Sequence, residues 1–568
     1  MQEKMTLQTQ SATPPAHGVE HFWYASYPPG IPRTIDADTY SSLPSMLVDA
    51  CTRHAPLPAF ECLGATMTFA DWERVSRAFA AYLVGEAKFH PGDRLAIMLP
   101  NLLAYPVAFL GALRAGLIVV NVNPLYTPRE LKEQLVDSGA TAIVIMENFA
   151  HKLEQVVGET KIRHVVVARL GDFMPPVKRA VFNLVNTYVR KAVPDWHFAD
   201  FTFLQRACSR APDAHYGDVA PGPTAPALLQ YTGGTTGVAK AAILTHRNLV
   251  ANALQCRAVI EPYLPEEQGS VLTPLPLYHI FSLTANLLAF ALMGGRSVLV
   301  PDPRDIKGLI RTFARARVAT MTGVNTLFNA LVNHPNFAKL DFSALKFAVG
   351  GGAAVQSAVA ERWREITGSE LVEGYGLTEA SPVVCINPVR RPRLGTVGLP
   401  VPSTEVAIRD DHGNDLPVGE AGEICVRGPQ VMQGYWHRHD ESTLVLTENG
   451  WLHTGDIGVF DADGYLKILD RKKDMVNVSG FKVFPNEVED VMTQHPGVLE
   501  SAVIGVADPH TGQAVKLFVV KRDVALTEAD LSKFARERLA AYTVPRVIVF
   551  VDSLPKSNVG KIVRKDLR

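Results

Sequence analysis

The stretch from residue 95 to residue 146 alternates strand-like and helix-like patterns, and this alternation decides the fold class. Apolar runs of strand length at 95–99 and 117–122 flank a helical stretch at 104–113, and Gly116 stands where a left-handed helix cap belongs. A second helix and a third strand follow before residue 146. Strands that alternate with helices form parallel sheets covered on both faces, so we expect an α/β fold with parallel-rich sheets.

The C-terminal hundred residues have a different pattern, with short helices beside strands that are joined by tight turns. This predicts a small α+β domain, and the charged run DRKKD separates it from the rest. We therefore divide the chain into an N-terminal extension, a large N-terminal domain, a linker and a small C-terminal domain. Their expected bounds are 1–40, 41–469, 470–474 and 475–568.

A loop rich in glycine and threonine follows the predicted strand at 227–230. Residues 231–240 read YTGGTTGVAK. The glycines let the backbone turn and point N–H groups at an anion, the threonines add hydroxyl donors, and Lys240 adds a positive charge, so the loop suits phosphate. It is not a Walker A loop, because Val238 and Ala239 stand where that motif needs Gly and Lys.

At this loop the sequence resembles the adenylate-forming superfamily of acyl-CoA synthetases, adenylation domains and luciferases, whose loop reads close to [ST]-[SG]-G-T-T-G-x-P-K-G. Ala239 and Ala241 replace the Pro and the last Gly. Further family motifs follow in order: YH at 278–279, GGGA at 350–353, GYGLTE at 374–379, TGD at 454–456, DRKKD at 470–474, SGFK at 479–482 and KSNVGK at 556–561. The resemblance covers the chain from about residue 40. Residues 100–130, 449–458 and 464–473 are most similar to bacterial long-chain fatty acid–CoA ligases.

The resemblance implies an ATP site, and the implied contacts divide by the part of the nucleotide. The phosphate contacts are Thr232, Gly233, Gly234, Thr235, Thr236, Gly237 and Lys240. The adenine contacts are Gly351, Gly352, Ala353, Gly374, Tyr375 and Gly376, and the ribose contacts are Asp456 and Arg471. Mg²⁺ is the implied cofactor, with Glu379 and Thr235 as its ligands, because this cation prefers oxygen ligands and phosphate.

The resemblance also implies the catalytic and acyl-binding residues. The implied catalytic residues are Lys561, Thr378, Glu379 and His279. The implied contacts to CoA are Gly480, Phe481 and Lys482, and the implied hinge is Asp470. An acyl tunnel is expected among Ile280, Phe281, Leu283 and Leu287.

The implied reaction explains why the site needs positively charged side chains such as Lys240 and Lys561. A carboxylate is a poor acylating agent, so ATP converts it to an acyl-adenylate and the thiol of CoA then displaces AMP. Two anions must approach each other in the first step, and the site has to supply the positive potential that permits it. Because Lys561 and CoA cannot occupy one arrangement of the site together, the family rotates its small domain between the two steps.

Other functions stay open at this point. The chain could activate a medium-chain or aryl acid, load a carrier protein instead of CoA, or bind nucleotide without catalysis. Taken singly, His279 fits a core histidine, Asp456 a turn residue and Lys561 a solvated lysine; only their order and spacing favour the functional roles. A kinase is excluded because residues 437–440 read HRHD rather than the kinase catalytic loop.

The resemblance implies fatty acid, ATP and CoA as partners, and the composition argues against nucleic acid. The chain has 56 Lys+Arg and 57 Asp+Glu, so it lacks the basic surplus of a nucleic-acid binder. Six dispersed Cys without a C-x-x-C pair indicate neither a zinc site nor a disulfide framework, and no stretch favours a transmembrane segment or a secretory signal. We expect a cytoplasmic protein, with homodimerisation left open.

One segment could change that location. Residues 177–193 predict an amphipathic helix with basic residues, which can lie on the inner face of an anionic membrane. Helices that dock their apolar face on their own domain are more common, and this is the interpretation we favour.

Overall fold

The computed structural model describes residues 21–210, 219–232, 239–557 and 560–568, and its N-terminal part is built on two large sheets. The alternation predicted between residues 95 and 146 is confirmed. Arg94–Met98 pairs in parallel with Ile118–Asn121 on one side and with Ala142–Met146 on the other. Gly116 has the expected positive φ, at 72°. The α/β class with parallel-rich sheets is therefore confirmed.

Four sheets organise the described residues, and the strands of each follow one another in spatial order. The nine-stranded sheet contains Leu399–Pro400, Val383–Ile386, Glu370–Gly376, Phe347–Gly351, Thr320–Gly323, Ser270–Thr273, Arg296–Leu299, Pro58–Cys62 and Ala65–Thr68. The eight-stranded sheet contains Gly434–Tyr435, Lys240–Thr245, Pro226–Thr232, Ile118–Asn121, Arg94–Met98, Ala142–Met146, His164–Ala168 and Thr202–Phe203. A four-stranded antiparallel sheet contains Glu405–Arg409, Gly422–Arg427, Leu452–Phe460 and Leu466–Arg471.

Helices cover the two large sheets, and several begin at side-chain caps that the sequence encodes. Thr127 caps Pro128–Ser138 with Glu130 in a capping box, and this helix ends at Gly139 in the left-handed conformation. The α-helices of the large domain are Leu43–Arg53, Phe69–Gly85, Ala104–Arg114, Pro128–Ser138, Ala150–Glu154, Pro176–Leu184, Leu204–Arg210, His246–Ile260, Ile280–Ser282, Ala289–Leu292, Ile306–Ala316, Asn325–Val332, Ser357–Thr367 and His439–Val445. π-Helical turns span Val185–Val189 and Leu283–Leu288.

The described part of the N-terminal extension packs on the four-stranded sheet. Trp23 is fully buried and stacks on Phe460 with 5.7 Å between the ring centroids. Gly464 lies against it, where an added Cβ would come within 2.5 Å of the Trp23 Cβ. This contact ties the chain start to the sheet that ends at the linker.

The C-terminal residues form a separate small α+β layer, as predicted. Its sheet contains Phe481–Val483, Val476–Val478, Gly512–Lys521 and Val498–Asp508, and Val547–Phe550 pairs in parallel with Gly512–Lys521. Its helices are Pro485–Thr493 and Glu528–Arg536. Val498–Asp508 and Gly512–Lys521 pair as a hairpin that continues beyond its apolar residues through polar ones.

The helix predicted at 177–193 forms, but the favoured interpretation of its packing was wrong. It spans Pro176–Leu184 and continues through the π turn Val185–Val189. Phe182 packs against the large core, but five other apolar residues are exposed rather than docked on the domain: Val177, Val181, Leu184, Tyr188 and Val189. Polar Asn186 is the buried residue of this segment. Among the described helices, none combines the length and the apolar character needed to cross a bilayer.

Candidate active site

Lys561 of the small domain projects into the large domain beside the strand ends of the nine-stranded sheet. Gly352 makes room for it, since an added Cβ there would lie 2.7 Å from the Lys561 Cε. Thr326 donates a hydrogen bond of 2.7 Å to the carbonyl of Gly560, which fixes the loop that carries the lysine. Burial, reinforced by the charge of Arg471, lowers the pKa of Lys561 to about 8. The lysine is thus partly desolvated and free to place its charge on an anion.

Asp456 faces the same cavity and is held by two partners. The Tyr375 hydroxyl donates to its Oδ2 at 2.7 Å, and the Arg471 Nε lies 3.2 Å from its Oδ1. Burial raises the pKa of Asp456 although Arg471 opposes this, and burial also raises the pKa of Tyr375. The carboxylate is therefore pre-positioned as an acceptor, and it shares the cavity with the positive charge of Lys561.

Two glycine-rich strand ends form the floor between these groups. Phe347–Gly351 and Glu370–Gly376 run in parallel, with Gly351 paired to Gly374. An added Cβ at Gly351 would lie 3.1 Å from the Phe281 ring, and one at Gly376 would lie 2.0 Å from the Pro382 carbonyl. Only glycine lets these chains approach so closely, because a side chain at either position would displace its neighbour.

His279 caps a short helix at the edge of the cavity. Its Nδ1 accepts from the Phe281 N–H at 3.3 Å, so the ring is neutral with its proton on Nε2. Burial and the charge of Lys561 lower the pKa of His279 to about 3. The imidazole therefore stays uncharged at neutral pH and can donate one hydrogen bond from Nε2.

A buried polar network that the sequence analysis missed holds the segment before His279. Asn101 donates to the carbonyls of Thr273 and Leu275, both at 2.9 Å, and accepts from the Leu277 N–H at 2.8 Å. The Tyr105 hydroxyl donates to the Leu277 carbonyl at 2.9 Å.

The same network reaches the phosphate loop. Asn121 links Tyr105 to Gln230 with hydrogen bonds of 2.8 and 3.0 Å, and Gln230 donates to the Tyr278 carbonyl at 3.0 Å. The sequence signal that could have revealed this network is the presence of Asn and Gln within apolar stretches, because a buried side-chain amide requires hydrogen-bond partners.

Tyr435 and Glu441 engage one implied phosphate contact and one implied Mg²⁺ ligand. Lys240 forms an ion pair with Glu441 and lies 5.5 Å from the Tyr435 ring centroid. The Tyr435 hydroxyl donates to Glu379 Oε1 at 2.8 Å. The sequence analysis missed both partners, because residues 435 and 441 lie outside the recognised motifs. Thr232 contacts the Lys240 carbonyl across the hairpin at 3.5 Å.

Asp470 is fully buried at the junction of the two domains. Its carboxylate accepts from Arg564 at 2.9 Å and from the Asn486 N–H at 2.9 Å. Arg564 also pairs with Glu489 at 2.9 Å. Burial raises the pKa of Asp470 against the attraction of Arg564. The residue is thus attached to the small domain, and Arg564 is a further residue that the motifs did not reveal.

Several residues that the resemblance assigned to CoA binding and to the acyl tunnel lie away from Lys561. Phe481 is 57% exposed and stacks on Tyr542, so Gly480, Phe481 and Lys482 do not share the cavity with Lys561. Ile280, Leu283 and Leu287 are fully buried in the large core, and of the four tunnel residues Phe281 is the one beside Gly351.

Two of the remaining implied residues lie next to site residues, and five fall outside the residues that the structure describes. Thr378 begins a turn with Glu379, and Ala353 is exposed next to Gly352. Gly233, Gly234, Thr235, Thr236 and Gly237 fall outside the described residues.

The described side chains do not assemble a metal site of their own. Within the described ranges there is no group of three His, Cys, Asp or Glu side chains placed to hold a metal ion. Glu379 offers a carboxylate at the cavity edge, which is compatible with a hard cation that takes its other ligands from phosphate and water.

Comparison with known proteins agrees with this geometry. The family model for the AMP-binding enzyme matches residues 47–436, and that for the AMP-binding enzyme C-terminal domain matches residues 487–561. A long-chain-fatty-acid–CoA ligase of Escherichia coli O6:H1 is 52% identical over 96% of this chain and 97% of its own. The ligase of that name from Haemophilus influenzae is 47% identical over 97% and 98%.

Solved structures have the same architecture at lower identity. The anthranilate CoA ligase AuaEII in complex with anthranoyl-AMP superposes with a TM-score of 0.84 at 26% identity, over 94% of this chain and 98% of its own. A benzoate CoA ligase from Burkholderia xenovorans gives 0.79 at 27% identity, over 93% and 99%. On the matched motifs, the two-domain fold and the near-complete coverage, this chain belongs to the AMP-binding enzyme family.

Proposed function

We propose that this protein is an ATP-dependent ligase that converts long-chain fatty acids to acyl-CoA thioesters through an acyl-adenylate, with release of pyrophosphate and AMP. The observation that carries the reaction type is the meeting of Lys561 from the small domain with Asp456 and Gly352 of the large domain and Arg471 of the linker. The substrate class is supported by the long-chain fatty acid ligases that match at 47–53% identity over nearly their whole length.

In the first step a carboxylate oxygen of the fatty acid attacks the α-phosphorus of ATP, and the bond to pyrophosphate breaks. Lys561 would neutralise the α-phosphate and carboxylate oxygens as they approach. Asp456 and Arg471 would hold the ribose, and the glycine floor at 351 and 374 would admit the adenine beside Tyr375. The neutral His279 would donate its Nε2 hydrogen to a carboxylate or phosphate oxygen.

The proposed contacts to the phosphates of ATP are Thr232, Lys240 and the residues between them. Lys240 would exchange Glu441 for the β- and γ-phosphates, while Thr378 would contact the α-phosphate. Glu379, with the hydroxyl of Thr235, would hold Mg²⁺, which when bound neutralises phosphate charge. Lys240 and Glu379 suit these roles by their chemistry, a positive charge for phosphate and a carboxylate oxygen for a hard cation.

In the second step the thiol sulfur of CoA attacks the adenylate carbonyl, its proton leaves, and AMP departs. For this step we propose rotation of residues 475–568 about Asp470, which withdraws Lys561 and brings Gly480, Phe481 and Lys482 to the thiol channel. The exposed ring of Phe481 is consistent with a surface that is covered only in the rotated state.

The acyl chain would enter beside Phe281 and pass along Ile280, Leu283 and Leu287. A medium-chain or aryl acid is less favoured, because the 4-coumarate–CoA ligase that matches is only 31% identical to this chain. A carrier protein as acceptor is disfavoured by the naming of the matched ligases for CoA.

The decisive experiment separates the half-reactions. We expect the enzyme, incubated with Mg²⁺ and palmitate, to move radiolabelled pyrophosphate into ATP, and to release AMP on addition of CoA but not of acyl carrier protein. The rate should rise along a series from octanoate to palmitate and stay low with benzoate or 4-coumarate. Absence of exchange with every acid would refute the proposal, and a maximum with octanoate or an aryl acid would refute the long-chain part.

Lys561→Ala supplies the matched test of mechanism. We expect pyrophosphate exchange to fall by about 10²- to 10³-fold, as when other preorganised charge stabilisers are removed, while thioester formation from preformed acyl-adenylate continues. Lys565→Ala, at an exposed lysine on the same segment, should leave both half-reactions unchanged.

A further inference from the structure

Five side chains form a line of polar contacts, named the loop clasp, around the two strands that flank the predicted phosphate loop. In the first strand, the Tyr231 hydroxyl donates to Asp137 Oδ2 at 2.7 Å. Asp137 Oδ1 accepts from Arg438 Nη2 at 2.8 Å, and Arg438 Nε lies 3.7 Å from Glu441 Oε1. Glu441 Oε2 forms the ion pair with Lys240, which begins the second strand. The loop clasp therefore runs from one flank of the loop to the other.

The backbone places Arg438 and Glu441 beside the second strand. Gly434–Tyr435 pairs in antiparallel fashion with Lys240–Thr245, and Arg438 follows this short strand closely. The Ser442 hydroxyl donates to the Arg438 carbonyl at 2.7 Å, which holds the chain where the helix that carries Glu441 begins. The positions of both charged residues thus follow from the strand pairing and the helix start, and do not depend on the ion pairs alone.

The loop clasp balances two carboxylates against two cations in a partly buried place. The exposed fractions of the side chains are 24% for Lys240, 34% for Glu441, 30% for Arg438 and 23% for Asp137. Burial and the hydrogen bond to Asp137 raise the pKa of Tyr231, so its hydroxyl stays a neutral donor. Because water reaches these groups only in part, a carboxylate that loses its cation needs another partner.

Under the proposed function, on which this inference rests, ATP draws Lys240 away from Glu441. A carboxylate left unpaired there would also repel the β- and γ-phosphates. Arg438 is the cation placed to receive it. The guanidinium has five N–H donors and uses Nη2 for Asp137 and Nη1 for the His437 carbonyl at 3.2 Å. Its Nε, which makes no hydrogen bond to any described residue, is the donor that faces Glu441.

We propose that Arg438 is a positioning residue that takes over Glu441 when ATP draws Lys240 to its phosphates. The Glu441 carboxylate turns from Lys240 to the Arg438 Nε, while Asp137 holds the guanidinium from its other side. Lys240 thereby reaches the β- and γ-phosphates without leaving an unpaired carboxylate beside them. Without nucleotide, the same carboxylate keeps the charge of Lys240 paired.

The test is a double-mutant cycle between Arg438 and Glu441, measured as the affinity of the full chain for ATP. Calorimetric titration with ATP and Mg²⁺, in the absence of fatty acid and CoA, measures binding without reaction. We expect Arg438→Gln to weaken ATP binding about fivefold, because Glu441 then stays with Lys240. In the Glu441→Gln background the same substitution should change the affinity by less than about twofold, because no carboxylate needs a new partner.

Two controls separate this exchange of partners from damage to the fold. AMP lacks the β- and γ-phosphates that draw Lys240 away, so its affinity should be the same in the wild type and in every variant. Arg129→Gln, which removes a pair with Glu133 on an exposed helix face, should bind ATP as the wild type does. A merely structural role of Arg438 would lower the affinity in both backgrounds and for both nucleotides.

Two outcomes would overturn the proposal. One is an ATP affinity of Arg438→Gln equal to that of the wild type, or no ATP binding by the wild type. The other is an equal loss in the wild-type and Glu441→Gln backgrounds, which with unchanged AMP binding would place Arg438 on the phosphates themselves. The titration uses nucleotide alone, so an equal loss in both backgrounds leaves the proposed ligase reaction intact. Absence of pyrophosphate exchange would in turn refute that reaction and leave the measured ATP affinities valid.

Discussion

The ionisation of Lys561 sets a pH limit on the proposed adenylation step. Its pKa lies at about 8, so the side chain is charged below that pH and loses its proton as the pH rises through it. The kcat/KM for adenylation reports the free enzyme, and we expect it to fall above about pH 8. Bound ATP adds negative charge that favours the ammonium form, so the limb in kcat should lie at higher pH.

Lys561→Arg identifies the group responsible for this limb. Arginine keeps its charge to above about pH 12, so the alkaline limb of kcat/KM should disappear even though the absolute rate is lower. Pyrophosphate exchange measured from pH 6 to pH 10 checks this. An alkaline limb that persists unchanged in Lys561→Arg would assign the ionisation to another group.

Glu441 competes with ATP for Lys240. The carboxylate pairs with the lysine that would hold the β- and γ-phosphates, and this contact has to open before ATP binds. A partly exposed ion pair is worth about 0.2–1 kcal/mol, so Glu441→Gln should lower the KM for ATP by up to about fivefold and leave kcat unchanged. Glu448→Gln, at an exposed position further along the same segment, is the matched control. A raised KM for ATP would instead make Glu441 part of the nucleotide site.

At the scale of elements, the turn after Phe347–Gly351 determines whether Lys561 can enter. Gly352 has φ 78°, and an added Cβ would lie 2.7 Å from Lys561 Cε. Gly352→Ala therefore carries two penalties, the left-handed backbone at about 1–2 kcal/mol and the clash with the lysine. Gly395→Ala carries the first alone, since Gly395 has φ 76° and no atom within 4 Å of an added Cβ.

Comparison of these two variants isolates the clash. Both should lower the melting temperature by similar amounts, while only Gly352→Ala should lose pyrophosphate exchange. Thioester formation from preformed acyl-adenylate should continue in both, because the proposed rotation withdraws Lys561 from the turn in that step. Equal loss of exchange in the two variants would show that backbone strain, not the lysine's path, limits activity.

The elements show how far the sequence could predict this fold. Local signals sufficed for Pro128–Ser138, where a capping box and Gly139 mark both ends. They also located the helix Pro176–Leu184, but the side that faces the protein depended on Asn183 and Asn186 finding partners in other loops. A hydrophobic pattern alone assigns the apolar face to the core, and in this helix partners distant in sequence reversed that assignment.

The candidate site was predictable to the extent that its residues lie in motifs. Asp456, Tyr375 and Lys561 were implied by resemblance and do meet in one cavity. Asn101 and Arg564 were not predicted, because they act through hydrogen bonds to residues that lie 94 or more positions away in the sequence. Such contacts follow from the fold as a whole and leave no local pattern.

At the scale of the whole molecule, a small set of polar contacts holds the two domains in the arrangement that admits Lys561. Three of them join Thr326 to Gly560, Asn329 to Leu499 and Ser357 to Asp490. These contacts have to break in the proposed rotation of the small domain, so their strength would set the balance between the adenylating and the thioester-forming arrangements. The balance is adjustable from outside the active site.

Among these contacts, the one that Asp490 makes is the best target for a substitution that shifts the balance between the two domain arrangements. Its carboxylate accepts from both the N–H and the hydroxyl of Ser357, at 3.2 and 3.4 Å, where the helix Ser357–Thr367 begins. A charged acceptor at a helix N-terminus is worth about 1–2 kcal/mol, so Asp490→Ala should disfavour the adenylating arrangement by about fivefold or more. Pyrophosphate exchange should slow, while thioester formation from preformed acyl-adenylate should hold or rise. The control is Glu487→Gln, which removes only the exposed pair with Lys467 and should change neither rate measurably. Equal slowing of both half-reactions by Asp490→Ala would mean that the contact with Ser357 supports the fold and does not select the domain arrangement.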